Sequence, residues 1–462
     1  MSSRKKAAII LAAGQGTRME SARLKVMHEV AGLPMIGHLT RMLGRLAFDR
    51  TVVVTGPGMA ELAATVTPAE VAVQDSPRGT GHAVLAARQA LAGFAGDVVV
   101  LFGDTPLVTG ETVERMVAAR RDPSDPAVAV LGFRPSDPGP YGRLVSAADG
   151  TLERIVEARD ANAAERAIGL CNAGIMAFDG AVLFDFVSRI GNDNAKHEYY
   201  LTDIVAVARQ AGRRCVALEA TDADEVMGVN TRAELAVAEA VMQTRLRGRA
   251  MAGGVTMTDP STVYLSHDTK FGRDVTVGPN VFFGPGVTVA DNAEIRAFCH
   301  IEGAAIGDGA IVGPFARLRP GARLGAEVHI GNFVEVKEAT IDAGAKANHL
   351  TYIGDAHVGA GANIGAGTIT CNYDGFFKYR TEIGAGAFIG SNSALVAPVK
   401  IGDGAYVGAG SVITGEVAPD ALAVERAAQY VSAGWAVRYR EKKLAEKDAA
   451  GKSGGRSRKK AG

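Results

Sequence analysis

The feature that most constrains this chain is a step of six. Ile383, Ile389, Leu395, Ile401, Val407 and Ile413 recur at that interval, usually followed by glycine, and Leu318, Leu324, Ile330 and Val336 keep it earlier. A period of six matches neither a helix nor an alternating strand, but three six-residue sides close a coil of eighteen. Leu318 then falls over Val336, and Ile383 over Ile401. Coils stacked about 4.8 Å apart pair their backbones and bury the aliphatic ladder in a narrow dry interior. Gly384, Gly390, Asp403 and Gly404 fall at corners, where tight bends and positive φ are expected. The stretch from about Gly254 to Val417 therefore predicts a parallel β-helix whose flat faces pack against other copies in a homo-oligomer. A β-sandwich would need a period of two.

Before the repeat, apolar β-branched runs alternate with helical patterns. Strands are expected at Ala7–Leu11, Thr51–Thr55 and Asp97–Leu101, and helices near Pro34–Ala47, Thr80–Phe94 and Glu111–Arg121. This is the rhythm of an α/β doubly wound, mostly parallel sheet, which binds ligands beyond the carboxyl ends of its strands. The basic start followed by an apolar run resembles a secretory signal, but the run covers only Ala7 to Ala13 and leads into GQGTRM, so it reads as a first strand.

Three loops fall on the ligand edge of that sheet: LAAGQGTRM (Leu11–Met19), QDSPRGTGHA (Gln74–Ala83) and FGDTPL (Phe102–Leu107). Gly14 and Gly16 lack the third glycine of a dinucleotide fingerprint. With Thr17 and Arg18 they offer backbone N–H groups and a cation, as a triphosphate requires, and a tight strand-to-helix turn would look the same. Lys25 is a second phosphate cation or a solvated lysine; Gly79-Thr80-Gly81 is a phosphate turn or a helix start capped by Thr80. Asp104 ends an apolar strand, where a carboxylate binds metal, pairs, or caps a turn.

The chain's 462 residues leave room for two domains, and 50 Lys plus Arg balance 50 Asp plus Glu, which argues against nucleic-acid and membrane-surface partners. Cys171, Cys215, Cys299 and Cys371 form no CxxC pair, which suits a reducing cytoplasm and offers no thiolate zinc site. Thr231 to Glu234 reads as a capping box opening a helix that runs to Gly253-Gly254, a rod holding the domains apart. From Arg440 the composition turns to Lys, Arg, Gly and Ser, as in a disordered tail.

Two segments break the repeat. His349 lies two residues past the in-register Ala347, so it is no aliphatic rung, and CNYDGFFKYRT (Cys371–Thr381) carries turn residues and two cations where a regular side belongs. Arg319 and Lys337 lie 30 and 12 residues before His349, close enough in coil count to share a groove with it. Two cations beside a base suit a phosphorylated amine. Zinc is the rival, because γ-type carbonic anhydrases build a three-histidine site on this repeat; His300, His329, His349 and His357 lack the required pair, so no zinc is expected.

The first loop and its following lysine resemble the nucleotide-sugar pyrophosphorylases. The similarity to the bifunctional enzymes that make UDP-N-acetylglucosamine continues through YGR (Tyr141–Arg143), IVE (Ile155–Glu157), NAG (Asn172–Gly174), EYYLTD (Glu198–Asp203) and GVN (Gly228–Asn230). It continues in the repeat through GPFARLRPGA, GNFVEVK, HLTYIGDA, NIGAGT, CNYDG and GSN. The resemblance implies a Rossmann-like uridylyltransferase domain over 1–231, a helical linker over 232–253, a left-handed β-helix acetyltransferase over 254–437 and a basic tail over 438–462. It implies that Leu11, Ala12, Ala13, Gly14, Gln74, Gly79 and Thr80 contact the uridine nucleotide, with Phe102 and Gly103 beside them, and that Gly142, Glu157 and Asn172 hold the sugar. Asp104 and Asn230 would share Mg²⁺, while Arg18 and Lys25 steady the phosphates as catalytic cations.

In the second domain the resemblance makes His349 the general base. Arg319, Lys337, Tyr352 and Asn363 would hold glucosamine-1-phosphate, and Ala366, Asn372, Tyr373, Ser391, Ala409 and Arg426 would line an acetyl-CoA groove between subunits of a homotrimer. Leu24 stands where the family usually has proline, Phe102 where tyrosine is common, and Glu425-Arg426-Ala427 departs from the family around the arginine. The competing enzyme is a single-function sugar-1-phosphate nucleotidyltransferase with the β-helix as scaffold; the non-enzyme alternative is a regulatory nucleotide-sugar binder.

Overall fold

The computed structural model describes residues 4–139, 141–194 and 196–457. In the N-terminal half a sheet runs in the order Cys215–Glu219, Val128–Phe133, Cys171–Asp179, Asp97–Phe102, Lys6–Leu11, Arg50–Thr55, Glu70–Val73. Lys6–Leu11 pairs in parallel with Arg50–Thr55 and Asp97–Phe102, and only Cys171–Asp179 runs antiparallel to both of its neighbours in that order. Ile9, Val52, Val100 and Met176 face one apolar cluster, while Ile10, Val53, Leu101 and Ile175 face another. The central strands thus bury both pleat faces, as their continuous Val/Ile runs require, while the edge strand Glu70–Val73 stays largely exposed.

The C-terminal half is a parallel β-helix. Leu318 pairs with Val336 and Ile383 with Ile401, and a single aliphatic core runs from Val255 to Val417. Most successive rungs advance by 17 or 18 residues, as from Val312 to Ile330 to Ala347, and the last, from Val407 to Ala423, by 16. From Ile364 to Ile389, and from Val358 to Ile383, the step lengthens to 25. The extra residues project as the loop around Asn372–Tyr379. The corners correct one expectation: Gly404 has φ +65°, but neither Asp403 nor the glycines Gly384 and Gly390 lie in the left-handed region. A Cβ on either glycine would stand 2.4 Å from a backbone nitrogen of the next coil, so close approach is what requires glycine there.

At one corner, bulky residues take positive φ in succession: Phe298, Phe315, Phe333 and Leu350. The three rings stack at 4.8 and 5.3 Å between centroids and stay about half exposed.

The helix Arg232–Ala252 starts at the expected capping box of Thr231 and Glu234. It does not hold the domains apart. Ala238 and Met242 pack with Val30, Ala31, Met35, Leu107 and Val229 of the N-terminal domain. Buried Gln243 gives its Nε2 to Leu265 O at 2.7 Å and accepts from Leu265 N at 2.8 Å. The domains also touch directly, since Ala31 O accepts from His267 N at 2.9 Å and from Ser266 Oγ at 3.0 Å.

The basic tail also differs from expectation. A helix covers Trp435–Ser457, and residues 458–462 lie outside the described residues. Ala, Glu and Lys are strong helix formers, Lys443 Nζ reaches Glu446 at 2.7 Å, and Trp435 stacks on Tyr439 at 4.8 Å.

Candidate functional site

The first strand ends in a cleft of about 290 Å³ lined by Leu11, Ala12, Ala13, Gly14, Lys25, Gln74, Gly79, Thr80, Phe102 and Asp104. These ten are residues singled out from sequence; Val26, Pro77, Ala83 and Glu198, which were not named as site residues, complete the lining. A Cβ at Gly14 would meet nothing within 4 Å, so the fold itself does not demand glycine there, whereas at Gly16 (φ +69°) it would stand 2.4 Å from Lys25 Cβ. Gly16 thus makes room for Lys25, whose Nζ lies 2.5 Å from Asp104 Oδ2 and 3.0 Å from Asn230 Oδ1. Arg18 Nη2 donates to the same Asn230 oxygen at 2.8 Å. Two cations, one in the first loop and one just after it, and two acceptor oxygens from distant segments therefore converge at one sheet edge. Leu24 sits at φ −57°, close to the value a proline ring imposes, so the departure from proline leaves Lys25 positioned.

Thr80 does not cap its own helix. Gly79 stands at the cap position, and Thr80 Oγ1 instead accepts from Leu201 N at 3.0 Å, tying the Gly79–Gly81 turn to the segment after Tyr200. That segment closes a second hollow of about 240 Å³ with Phe102, Glu157 and Asn172. Gly142 is adjacent, accepting from Asn172 N through its carbonyl at 2.8 Å, and Gly103 N bonds Leu11 O at 2.9 Å. Burial, then Asp160 and Asp203, hold the Glu157 carboxyl above the ordinary range, and burial does the same for Asp203.

On the β-helix, Arg319 Nη1 pairs with Glu335 Oε1 at 2.9 Å, and Lys337 Nζ with Asp355 Oδ2 at 3.3 Å. Asn372 turns inward, bonding Asp355 Oδ2 and lying 3.4 Å from the Tyr352 hydroxyl. It joins the cations rather than the line expected for acetyl-CoA. Ala366, Ser391 and Ala409 do form a line, on successive coils, through Asn392 N to Ala366 O and Gly410 N to Ser391 O. Arg426 closes it with a 2.7 Å bond to Ala409 O, while the hydroxyl of exposed Tyr373 donates to Gly375 O in its own loop. His349 is exposed, with Nδ1 2.8 Å from Asn332 Oδ1. No bond joins it to Arg319 or Lys337 among the described residues. Asn363 pairs with Lys346 one coil before.

Residues 8–169 match the model of the MobA-like NTP transferase domain, and 303–338 and 380–415 match the bacterial transferase hexapeptide model of six repeats. The bifunctional protein GlmU of Paramagnetospirillum magneticum is 60% identical over 447 residues, covering 97% of this chain and 99% of that one. Its counterpart in Rhodospirillum rubrum is 61% identical over 436 residues, covering 94% and 97%. This chain belongs to the GlmU family.

Several polar residues in this GlmU-family chain went unassigned from sequence. Glu198 lines both N-terminal hollows, and its place in EYYLTD was the available signal. Asn332, Glu335 and Asp355 partner the β-helix candidates, and only their register reveals it. The Lys337 ammonium beside Lys378 holds that loop lysine below the ordinary lysine range. Lys378 is thereby brought back from the projecting loop to the Arg319–Lys337 cluster.

Proposed function

We propose that this chain acetylates glucosamine-1-phosphate on the β-helix and then transfers UMP from UTP to the product in the N-terminal domain, giving UDP-N-acetylglucosamine and pyrophosphate. The observation that carries the reading is the convergence of Arg18, Lys25, Asp104 and Asn230 at the cleft edge, on a chain whose hexapeptide half holds a second cation cluster.

The residues fit a magnesium ion, because the Asp104 and Asn230 oxygens already converge on the positive charge of Lys25 Nζ. These two side chains would hold it, and substrate phosphates would complete the coordination, as is usual for Mg²⁺. Bound there, it supplies neutralisation of triphosphate charge. Lys25 and Arg18 orient the phosphates, and backbone N–H groups around Gly14 receive them. A phosphate oxygen of the sugar attacks the α-phosphorus, forming the new P–O bond as pyrophosphate leaves, with no covalent protein intermediate. Glu157 and Asn172 hold the sugar.

In the acetyl transfer, an amide oxygen can only accept, so His349 Nδ1 carries its hydrogen toward Asn332 and Nε2 is left as base. The amine nitrogen attacks the thioester carbon and passes its proton to Nε2, and CoA leaves as thiol. Arg319, Lys337 and Tyr352 hold the sugar phosphate, with Asn363 alongside, and the line from Ala366 to Arg426 receives CoA. The exposed phenylalanine ladder supports a homotrimer that closes this groove. Among the described residues no helix is long and apolar enough to cross a membrane, and the substrates are those of the cytoplasm.

Incubation with glucosamine-1-phosphate, acetyl-CoA, UTP and Mg²⁺ tests the reading. Both CoA and pyrophosphate should appear, the second only after acetylation. Pyrophosphate from pre-acetylated sugar, with no CoA ever released, would reduce the β-helix to a scaffold.

A further inference from the structure

Where the two domains meet, a cleft of about 230 Å³ opens between the helix Met35–Arg45, the segment Pro106–Gly110, the linker helix and His267 of the β-helix. Four arginines line it: Arg41 and Arg45 one turn apart on the first helix, and Arg245 and Arg249 one turn apart on the linker helix. His38 and His267 complete its polar lining with Thr109, and no carboxylate is among the lining residues described. Arg245 is engaged, giving Nη1 to Leu107 O at 2.6 Å and Nη2 to Asp222 at 3.0 Å. Arg41, Arg45 and Arg249 make no side-chain hydrogen bond or ion pair among the described residues.

Like charges one helical turn apart weaken a helix, and here two helices each aim such a pair at one hollow. The histidines register the resulting field. Burial first, then neighbouring His267 and Arg41, push His38 down to about 4, and burial with Arg41 and Arg45 lowers His267 despite Asp268 beside it. Among the described residues, buried His267 Nε2 has no hydrogen-bond partner. Neither half-reaction uses any of these groups.

We infer that this cleft binds a small phosphorylated molecule, the phosphate held between the two arginine pairs and the organic part against Met42, Met242 and Leu246. Guanidinium forks match phosphate oxygens in pairs, and a concave site of this volume admits a metabolite and not a duplex. The ligand would also bear on the uridylyl site, because Pro106–Gly110 continues from Asp104, and Arg245 already grips Leu107.

Inorganic phosphate is the first probe, on the full chain. In the unaltered protein it should protect Arg41, Arg45 and Arg249 from phenylglyoxal, read by mass spectrometry; absence of protection at all three overturns the proposal. Calorimetry on a K25A/R319A chain, which lacks one cation in each active site, should still show one phosphate bound per chain. Adding R41Q and R249Q should weaken that binding about tenfold or more, as loss of two charge-assisted contacts implies, with R41K/R249K retaining part of it. Equal affinity with and without the glutamines overturns it. Circular dichroism checks folding, and R41Q/R249Q alone should leave both activities measured without phosphate unchanged.

Discussion

Asp104 and His349 lie in different folds and share no partner, so their removal should separate the two half-reactions. Asp104→Ala is expected to lower uridylyl transfer by about 10² or more, the scale of losing one preorganised electrostatic contact, while CoA release continues. His349→Ala should do the reverse, costing acetyl transfer about 10² to 10⁴, the usual contribution of a general base. Parallel assays of CoA and pyrophosphate read both, and equal loss of both activities in either variant would point to a folding defect. Glu157 adds a pH dependence. Its carboxyl holds its proton to higher pH folded than unfolded, chiefly through burial, so folding binds a proton. That contribution to stability is present at acid pH and falls as pH rises from the ordinary glutamate range through the raised folded value. Glu157→Gln should therefore melt higher than the parent above that range, with the difference vanishing in acid, in thermal scans taken from pH 3 to 8.

At the level of elements, the linker helix is held by side chains that no periodic pattern announces. Gln243→Ala would leave Leu265 N and O unpaired in a buried joint, a cost of about 1–3 kcal/mol; urea titration followed by far-ultraviolet circular dichroism should show the midpoint fall. This joint also explains what could and could not be seen in the sequence. The aliphatic rungs were legible because each obeys a local period, and the projecting loop because polar turn residues interrupt it. The cleft residues were legible because they cluster at strand ends and carry a recognisable motif. Docking of the domains was not, since Ala31, Ser266 and Gln243 carry no local pattern and meet only in the folded chain. The tail was misread because its Gly, Ser and Lys content suggested disorder, although its Ala, Glu and Lys residues favour helix.

For the whole molecule, the half-exposed ladder Phe298–Phe315–Phe333 is a continuous stacked apolar surface on the prism that a partner would cover. The parent should sediment as a trimer, and F315S/F333S should shift it toward monomer. Acetyl transfer should fall with it if the line proposed for CoA, Ala366 to Arg426, needs a neighbouring subunit to close it, whereas uridylyl transfer, proposed for a cleft lined by one chain, should persist. A parent that sediments only as monomer would refute this assembly.

Trp435 is the only tryptophan in the chain, and it sits exposed beside Tyr439 on the C-terminal helix, outside every apolar cluster among the described residues. Emission excited at the red edge of the protein's ultraviolet absorption would thus follow that helix alone. Either domain could lose its core without changing the signal, while a neighbouring subunit or lipid settling over the helix would shift it to the blue. The protein carries, in effect, a built-in optical label for its own terminus and none for its catalytic bodies.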